Sequence, residues 1–240
     1  VWVGTGEANI LRSSMAGTGI YKSIDAGETF TYMGLADTQH ISRILVHPEN
    51  PNIVYAASAG HEYTFSPDRG VYKTTNGGKS WKNVGLKDSE HIGNIVVHPE
   101  NSEIVYVAAY GPLWSAGGDR GIFRTVDGGE TWENILFVSE NTGFNEIHMD
   151  PRYTDVMYAT AHQRRRHVYT YLGGGPESAI YKTINGGESW FKVSKGLPKV
   201  DLGRIGMDIS PINPDILFAV VEAADDKGGF FRSDDRGQSC

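Results

Sequence analysis

The chain has 240 residues, of which 39% are hydrophobic and 21% are charged, as is typical of a globular domain. Its formal net charge of −7 argues against nucleic acid as the main partner. No apolar run approaches the roughly 18 residues needed to span a bilayer, so we expect no membrane insertion. The 30 glycines spread along the chain favour many short strands joined by tight turns.

The chain begins with a strand-like run, residues 1–4, that has neither an initiator Met nor a signal-peptide pattern. We therefore expect the sequence to begin inside a longer protein. The sequence contains one cysteine, Cys240, at its last position, so no internal disulfide is expected.

Five eight-residue segments repeat along the chain and align without gaps. They follow the pattern Ser/Thr-x-Asp/Asn-x-Gly-x-Ser/Thr-aromatic, except that Cys240 replaces the last aromatic residue. Their Asp or Asn positions lie 51, 51, 58 and 50 residues apart. A repeat of about 50 residues predicts an architecture built from stacked, similar units. The segments are residues 23–30, 74–81, 125–132, 183–190 and 233–240.

A second motif recurs in phase with the first, an apolar run that ends in proline and is followed by another apolar run. Together the two motifs divide each unit into four short β-type runs, which in the second unit cover 41–47, 53–58, 70–75 and 80–84. Four strands in about 50 residues are typical of a propeller blade. The sequence thus predicts an all-β fold, a β-propeller of four-stranded blades.

The eight-residue segments have a structural explanation. The Asp or Asn can accept backbone N–H bonds within its own turn, and the Gly tolerates positive φ. The Trp begins the last strand of its unit and can pack between neighbouring sheets. Because these residues recur in every unit, whereas a catalytic group is normally unique, we assign them to the scaffold. They are Asp25, Asn76, Asp127, Asn185 and Asp235 with Trp81, Trp132 and Trp190.

The same segments resemble the Asp-box, or BNR, repeat of sialidases, xyloglucanase-type glycosidases and the sortilin-like VPS10 propeller. Residues 113–121, 163–167 and 225–232 resemble stretches of exported bacterial proteins described as VPS10-like or BNR-repeat glycosyl hydrolases. The resemblance implies a propeller of seven or more blades and an extracellular, periplasmic or cell-surface location. The remaining blades of the same parent chain are then one expected partner.

On this basis residues 1–240 form a single propeller region, a fragment with three complete blades and two partial ones. Closure into five blades, with 1–35 and 203–240 sharing a blade, stays open as an alternative. The expected blade units are 1–35, 36–86, 87–138, 139–196 and 197–240.

We name the strands of a blade A to D from the central channel outward. The A–B and C–D turns then share one face, and the variable B–C and D–A loops share the other, where function concentrates. Aromatic and charged side chains on these loops suit peptide or sugar binding. The ligand-binding candidates are His61, Tyr63, Trp114, Arg120, Arg164, Arg165, His167 and Tyr169.

The arginine run and Trp114 keep alternative interpretations. The run Arg164–Arg166 can be a solvated basic loop or a site for an anionic group. Trp114 can be a surface platform or an anchor of its own loop.

Two functions fit the pattern. The first is a non-catalytic module that binds a peptide or protein in the manner of sortilin. The second is a glycoside hydrolase that cleaves a polysaccharide with two loop carboxylates about 5–10 Å apart. No spacing singles out such a pair, and we expect no cofactor and no metal, since no cluster of metal ligands is evident. The weak catalytic candidates are Glu62, Glu90, Asp119 and Asp201.

Overall fold

The computed structural model describes residues 1–7, 15–61, 64 and 66–239. All strand pairs are antiparallel, and they form three four-stranded sheets, two three-stranded sheets and one two-stranded hairpin. Apart from two short 3-10 turns, Ala36–Thr38 and Lys87–Ser89, these ranges contain no helix. The described residues therefore contain no helix that is long and apolar enough to cross a bilayer. The all-β fold predicted from the sequence is confirmed.

The outer two units have three strands each. Their strands are β1 (Trp2–Gly4), β2 (Ile20–Lys22) and β3 (Thr31–Tyr32) at the beginning, and β18 (Leu202–Ile209), β19 (Leu217–Ala223) and β20 (Gly229–Ser233) at the end. By position in the repeat, the first unit has strands B, C and D, and the last has A, B and C.

The three middle units are complete blades. The first contains β4 (Ile41–Val46), β5 (Val54–Ser58), β6 (Gly70–Thr74) and β7 (Lys82–Asn83). The second contains β8 (Ile92–His98), β9 (Asn101–Ala109), β10 (Gly121–Thr125) and β11 (Glu133–Leu136). The third contains β12 (Thr142–Met149), β13 (Met157–Gln163), β16 (Ala179–Thr183) and β17 (Phe191–Val193). The hairpin β14 (Arg165–Arg166) and β15 (Tyr171–Leu172) stands in the B–C loop of that blade, a feature that the sequence pattern did not predict.

Apolar clusters lie between the sheets, and each cluster joins two successive units. Tyr55 and Val71 of the second unit pack with Ile95 and Val107 of the third. Similar clusters join the first and second, third and fourth, and fourth and fifth units. Burying one such aliphatic side chain stabilises the fold by about 1.5–3 kcal/mol. The core is therefore a stack of face-to-face sheets, as in a propeller.

The Asp-box segments close the C–D turns. Asp127 accepts hydrogen bonds from the Thr125 hydroxyl at 2.7 Å, the Thr131 amide at 2.9 Å and the Thr131 hydroxyl at 2.6 Å. These bonds hold the pKa of Asp127 well below its usual range. Asn76 forms the same turn. Its Nδ2 donates to the Ser80 hydroxyl at 2.8 Å, so this hydroxyl accepts a hydrogen bond, whereas the Thr131 hydroxyl donates one to Asp127. This exchange explains why Asp and Asn both occur at the position.

The box tryptophans tie one blade to the preceding one. Trp81 Nε1 donates to the Met33 carbonyl at 2.9 Å, and Trp132 Nε1 donates to the Val84 carbonyl at 2.7 Å. The equivalent Trp190 Nε1 is buried and has no hydrogen-bond partner among the described residues.

Each innermost strand, A, carries a register shift near its start. Such bulges re-aim side chains and are frequent next to functional sites. Here the Ser42 hydroxyl donates to the Ile92 carbonyl of the next blade at 2.8 Å. Asn145 Nδ2 likewise donates to the Ile205 carbonyl at 2.7 Å. The A strands are thus linked around the axis at the end of the molecule that bears the variable loops.

Candidate functional site: the axial cleft

A cleft of about 490 Å³ opens along the axis at the loop-bearing end. We call it the axial cleft. The A strands β4, β8, β12 and β18 form its floor, and side chains from strand β13 and from the B–C loops complete its lining. Its lining includes Arg43, His91, Tyr110, Asn145, Glu146, His148, His162, Arg164, Tyr171, Arg204 and Asp208.

A strained turn places His91 in this cleft. Glu90 has φ +55 and ψ −47, and the His91 amide donates to the Ser89 carbonyl at 2.5 Å, which closes a γ-turn. Gln39 and His40 repeat this geometry one blade earlier, with φ +53 at Gln39. Such backbone conformations cost free energy and cluster at functional sites.

His91 itself is 6% exposed, and neither ring nitrogen has a hydrogen-bond partner among the described residues. Burial, reinforced by the charges of Arg164 and Arg69, lowers the pKa of His91 well below its usual value. The imidazole is therefore neutral at physiological pH. Neither ring nitrogen makes a hydrogen bond of good geometry, although the Gly111 backbone lies close enough to favour the charged form slightly.

Tyr110 and His162, which also line the cleft, are hydrogen-bonded to each other and are both neutral. The Tyr110 hydroxyl is hydrogen-bonded to His162 Nδ1, and His162 Nε2 lies 3.1 Å from the Gly173 carbonyl. Because a carbonyl only accepts, Nε2 carries the proton and the tyrosine donates to Nδ1. Burial lowers the pKa of His162 to about 4 and raises that of Tyr110.

Arg164 lies against this pair. Its guanidinium carbon is 3.4 Å from the centroid of the Tyr110 ring, a cation–π contact. Its Nε and Nη2 are shielded from solvent and have no hydrogen-bond partner among the described residues. Burial lowers the pKa of Arg164, although the side chain stays cationic at neutral pH. Arg43 and Arg204, both exposed, add two further positive charges to the cleft.

Two carboxylates also line the cleft. Glu146 accepts hydrogen bonds from the Met207 amide and from His148 Nε2, each at 2.9 Å. Asp208 lies 3.7 Å from Nδ1 of the same histidine. The two carboxylates therefore face each other across one imidazole ring. Sequence reasoning missed them, although the two-residue period of a strand puts Glu146 and His148 on one face.

Several predicted ligand-binding residues lie on loops and are not part of the cleft lining. Trp114 is 44% exposed and Tyr169 is 86% exposed. His167 stacks on Tyr169 with ring centroids 5.6 Å apart. Arg165 Nη2 donates to Asn141 Oδ1 at 2.6 Å. Of the predicted residues, Arg164 reaches into the axial cleft.

Arg120 corrects one expectation. The side chain is 1% exposed and donates to the carbonyls of Tyr110, Ser115 and Gly117 at 2.9 Å and to that of Pro112. In this geometry Arg120 supports its loop from inside and makes no surface for a ligand.

Arg69 supports its own B–C loop in the same way, one blade before Arg120. It donates to the carbonyls of Ala59 at 3.1 Å, His61 at 2.7 Å and Thr64 at 3.1 Å. The backbone carbonyl of His61, a predicted ligand residue, is thus used within its own loop. The repeated Asp-Arg-Gly at 68–70 and 119–121 was the available sequence signal for this role.

The weak catalytic candidates are not brought together. Glu90 forms an ion pair with Arg69 at 2.8 Å, whereas Asp201 is exposed in another loop. Glu90 lines a cavity with Lys87, Asp88 and Ser115, and Asp201 is not part of that lining. Burial and the charge of Asp88 raise the pKa of Asp119. Glu62 and Tyr63 lie outside the described residues.

A metal site is not evident in the part of the chain that the structure describes, since no three His, Cys, Asp or Glu side chains converge there. The absence of a metal and of a cofactor stays a prediction.

Comparison with known proteins identifies related families. The model of the Sortilin-Vps10 family, described as sortilin, neurotensin receptor 3, matches residues 18–135 and 70–201. The matched region covers more than half of the chain. A protein of Neosartorya fischeri named "probable oligoxyloglucan-reducing end-specific xyloglucanase" is 28% identical over 144 residues. That match covers 57% of this chain and 16% of the relative.

Solved structures share the fold. The GH74 xyloglucanase from Xanthomonas campestris matches with a TM-score of 0.68 and 15% identity, over 92% of this chain and 33% of that one. An ancestral GH74 enzyme matches with a TM-score of 0.67 and 21% identity, over 95% and 29%. The GH74 enzyme of Niastella koreensis matches with a TM-score of 0.67 and 19% identity, over 92% and 33%. This chain therefore spans about a third or less of each of these proteins.

Proposed function

We propose that this chain, which belongs to the Sortilin-Vps10 family, is a binding module that holds a peptide or protein segment in the axial cleft. The proposal includes an extracellular, periplasmic or cell-surface location. It also treats residues 1–240 as one propeller region with blade units 1–35, 36–86, 87–138, 139–196 and 197–240, completed by further blades of the parent chain.

The observation that carries the proposal is the set of unused hydrogen-bonding atoms on the cleft floor. His91 offers a donor and an acceptor, and Asn145 Oδ1 offers an acceptor, yet all three atoms lack a partner among the described residues. A buried polar atom left without a partner costs about 1–3 kcal/mol. Each residue of a peptide backbone carries one N–H and one C=O, which are the complementary groups. A peptide group that reached these atoms would recover this free energy.

The side walls suit the side chains of such a ligand. Tyr171 is 46% exposed and lies at the cleft with Arg164, which is stacked on Tyr110. Arg43 and Arg204 also line the cleft and add positive charge to it. Aromatic faces and guanidinium groups are the side chains that most often anchor protein ligands.

The test is a panel of end-blocked peptides titrated against the full-length protein and two tyrosine variants. Tyr171→Ala removes an exposed ring from the cleft, and we expect it to weaken binding about tenfold. Tyr153→Ala removes a ring of 53% exposure that lies outside the cleft, and it should change affinity less than twofold. Equal affinity of both variants would refute binding in the axial cleft.

A glycoside hydrolase is the second candidate. It is supported by the similarity to the xyloglucanase of Neosartorya fischeri and by Glu146 and Asp208, which flank His148 in the cleft. Glycosidases place two carboxyl groups about 5–10 Å apart around the scissile bond. The chemistry would assign proton donation to one carboxyl group, and nucleophilic attack or activation of water to the other.

Reducing-end release from a polysaccharide panel that includes xyloglucan tests this candidate. If hydrolysis occurs in the cleft, Glu146→Gln with Asp208→Asn should abolish it. Glu90→Gln with Asp201→Asn tests the pair nominated from the sequence, and full activity in that double variant would remove it. If the full-length protein releases no sugar, the hydrolase candidate is excluded and the binding function remains.

A further inference from the structure

The B–C loop of the fourth unit rises as an arm over residues 163–175. Its two short strands, Arg165–Arg166 and Tyr171–Leu172, pair antiparallel, and the turn between them is almost fully exposed, with Val168 at 98%. A pocket of about 150 Å³ lies at the base of the arm. We call it the arm pocket. Its lining includes Asn141, Arg164, Arg165, His167 and Leu172.

The arm concentrates positive charge that the described residues do not neutralise. The chain as a whole carries a net charge of −7, and Arg69, Arg124, Arg152, Arg232 and Arg236 all form ion pairs with carboxylates. The consecutive residues Arg164, Arg165 and Arg166 have no carboxylate within 4.0 Å among the described residues. In an acidic protein, such a cluster suits an anion supplied from outside.

The three guanidinium groups are positioned by contacts that leave their charge intact. Arg164 lies 3.4 Å from the Tyr110 ring centroid, and Arg166 lies 5.6 Å from that of Tyr171. Arg165 donates to the neutral amide of Asn141. Aromatic rings and amide oxygens orient a guanidinium without cancelling its charge.

Two of these arginines also keep unused donors. Nε and Nη2 of Arg164 and Nε of Arg165 are shielded from solvent and have no partner among the described residues. A guanidinium presents its N–H groups as a planar fork that matches a carboxylate. Arg164 and Arg165 both line the arm pocket, which brings the two arginines to one cavity of about 150 Å³.

We propose that the arm pocket is a subsite for a side-chain carboxylate, Asp or Glu, of the peptide ligand. This inference rests on the proposed function and names the class of ligand, an acidic peptide. The carboxylate is bound between Arg164 and Arg165, beside the axial cleft that Arg164 also lines. The stack of His167 on Tyr169 and the exposed Leu172 cover the apolar part of the ligand side chain.

The experiment is a calorimetric titration of the full-length protein with two end-blocked peptides, acetyl-Gly-Glu-Gly-Glu-Gly-amide and its Gln analogue. Blocked ends make the side-chain carboxylates the only anions, and one fixed ionic strength keeps charge screening constant. The Glu peptide should bind at least about tenfold more tightly than the Gln peptide, as a charge-assisted fork implies. Equal affinity for the two peptides would overturn the proposal.

Substitutions on the arm and away from it show whether the preference for the Glu peptide depends on Arg165. Arg165→Gln should remove the preference for Glu, and Arg165→Lys should restore part of it, since lysine keeps the charge and loses the fork. Arg232→Gln is the matched control, because it also removes one cation but lies outside the arm, paired with Asp234. It should shift affinity less than about twofold. A Glu preference that survives Arg165→Gln, or that Arg232→Gln also removes, would overturn the proposal.

Two further outcomes separate this inference from the proposed function. If neutral peptides of the panel bind in a Tyr171-dependent manner while the Glu peptide gains nothing, the arm pocket fails and the binding module stands. If no peptide binds, both fail. A galacturonate oligomer that binds through Arg165 while the Glu peptide does not would overturn the acidic-peptide assignment in favour of a glycan.

Discussion

The two ends of the same blades treat their polar groups in opposite ways. At the box end, Asp127 accepts hydrogen bonds from the amide and hydroxyl of Thr131 and from the hydroxyl of Thr125. At the loop end, His91, Asn145 and Arg164 keep buried atoms without partners in the described part of the chain. The first arrangement stabilises a turn, and the second leaves binding capacity that a ligand can use. The Asp and Asn residues of the turns are scaffold because they make the same kind of bonds in each unit. Trp190 Nε1 in the fourth box also lacks a partner among the described residues, so an unpartnered atom alone does not locate function.

Trp132→Ala should have the largest effect on stability. Trp132 packs against the core between the second and third units and donates to the Val84 carbonyl. Truncating a tryptophan in such a position costs about 3 kcal/mol. The measurement is the free energy of unfolding in urea. A loss below about 1 kcal/mol would show that the box tryptophan does not tie the blades together.

Acid should destabilise the loop end through its neutral histidines. The folded pKa of His162 is about 4, below the value of about 6.5 in the unfolded chain, so the unfolded state binds more protons between these values. Stability is therefore lost as the pH falls below about 6.5, by about 2 kcal/mol at pH 5 for this group. His162→Gln should flatten the stability profile between pH 7 and 5. An unchanged slope in that variant would contradict the assignment of His162 as a buried neutral group.

Arg120→Met should affect one loop more than the whole fold. It removes the donors to four loop carbonyls, which then need water or another partner. We expect a loss of about 2 kcal/mol and faster hydrogen exchange over residues 110–119. Unchanged exchange in this segment would mean that the loop holds its shape without the buried arginine.

Trp114→Ala should have the smallest effect on stability, and it tests whether this exposed ring takes part in binding. Its side chain is 44% exposed, so truncation should change the unfolding free energy by less than about 1 kcal/mol. Ligand affinity should fall if Trp114 is a platform. A variant that loses stability and keeps affinity would instead identify Trp114 as an anchor of its own loop.

The scaffold could be predicted from the sequence because it repeats. The strands expected at 41–47 and 70–75 are observed at Ile41–Val46 and Gly70–Thr74, since Gly, Pro and the box fix their limits locally. The binding end could not be predicted in the same way. Its geometry depends on contacts between side chains of different blades, such as Arg164 on Tyr110, and on a loop hairpin that occurs in one unit only. Arg120 is an example. A charged loop residue looks the same in the sequence whether its side chain contacts a ligand or donates hydrogen bonds to the backbone of its own loop.

The most direct test of the binding account is hydrogen exchange of the full-length protein with and without the tightest-binding peptide of the panel. We predict slower exchange at the starts of the A strands, residues 91–94 and 144–146, and on the arm, while the box turns at 74–81 and 125–132 stay unchanged. Protection confined to the box turns, or none at the A strands under saturating peptide, would contradict binding in the axial cleft.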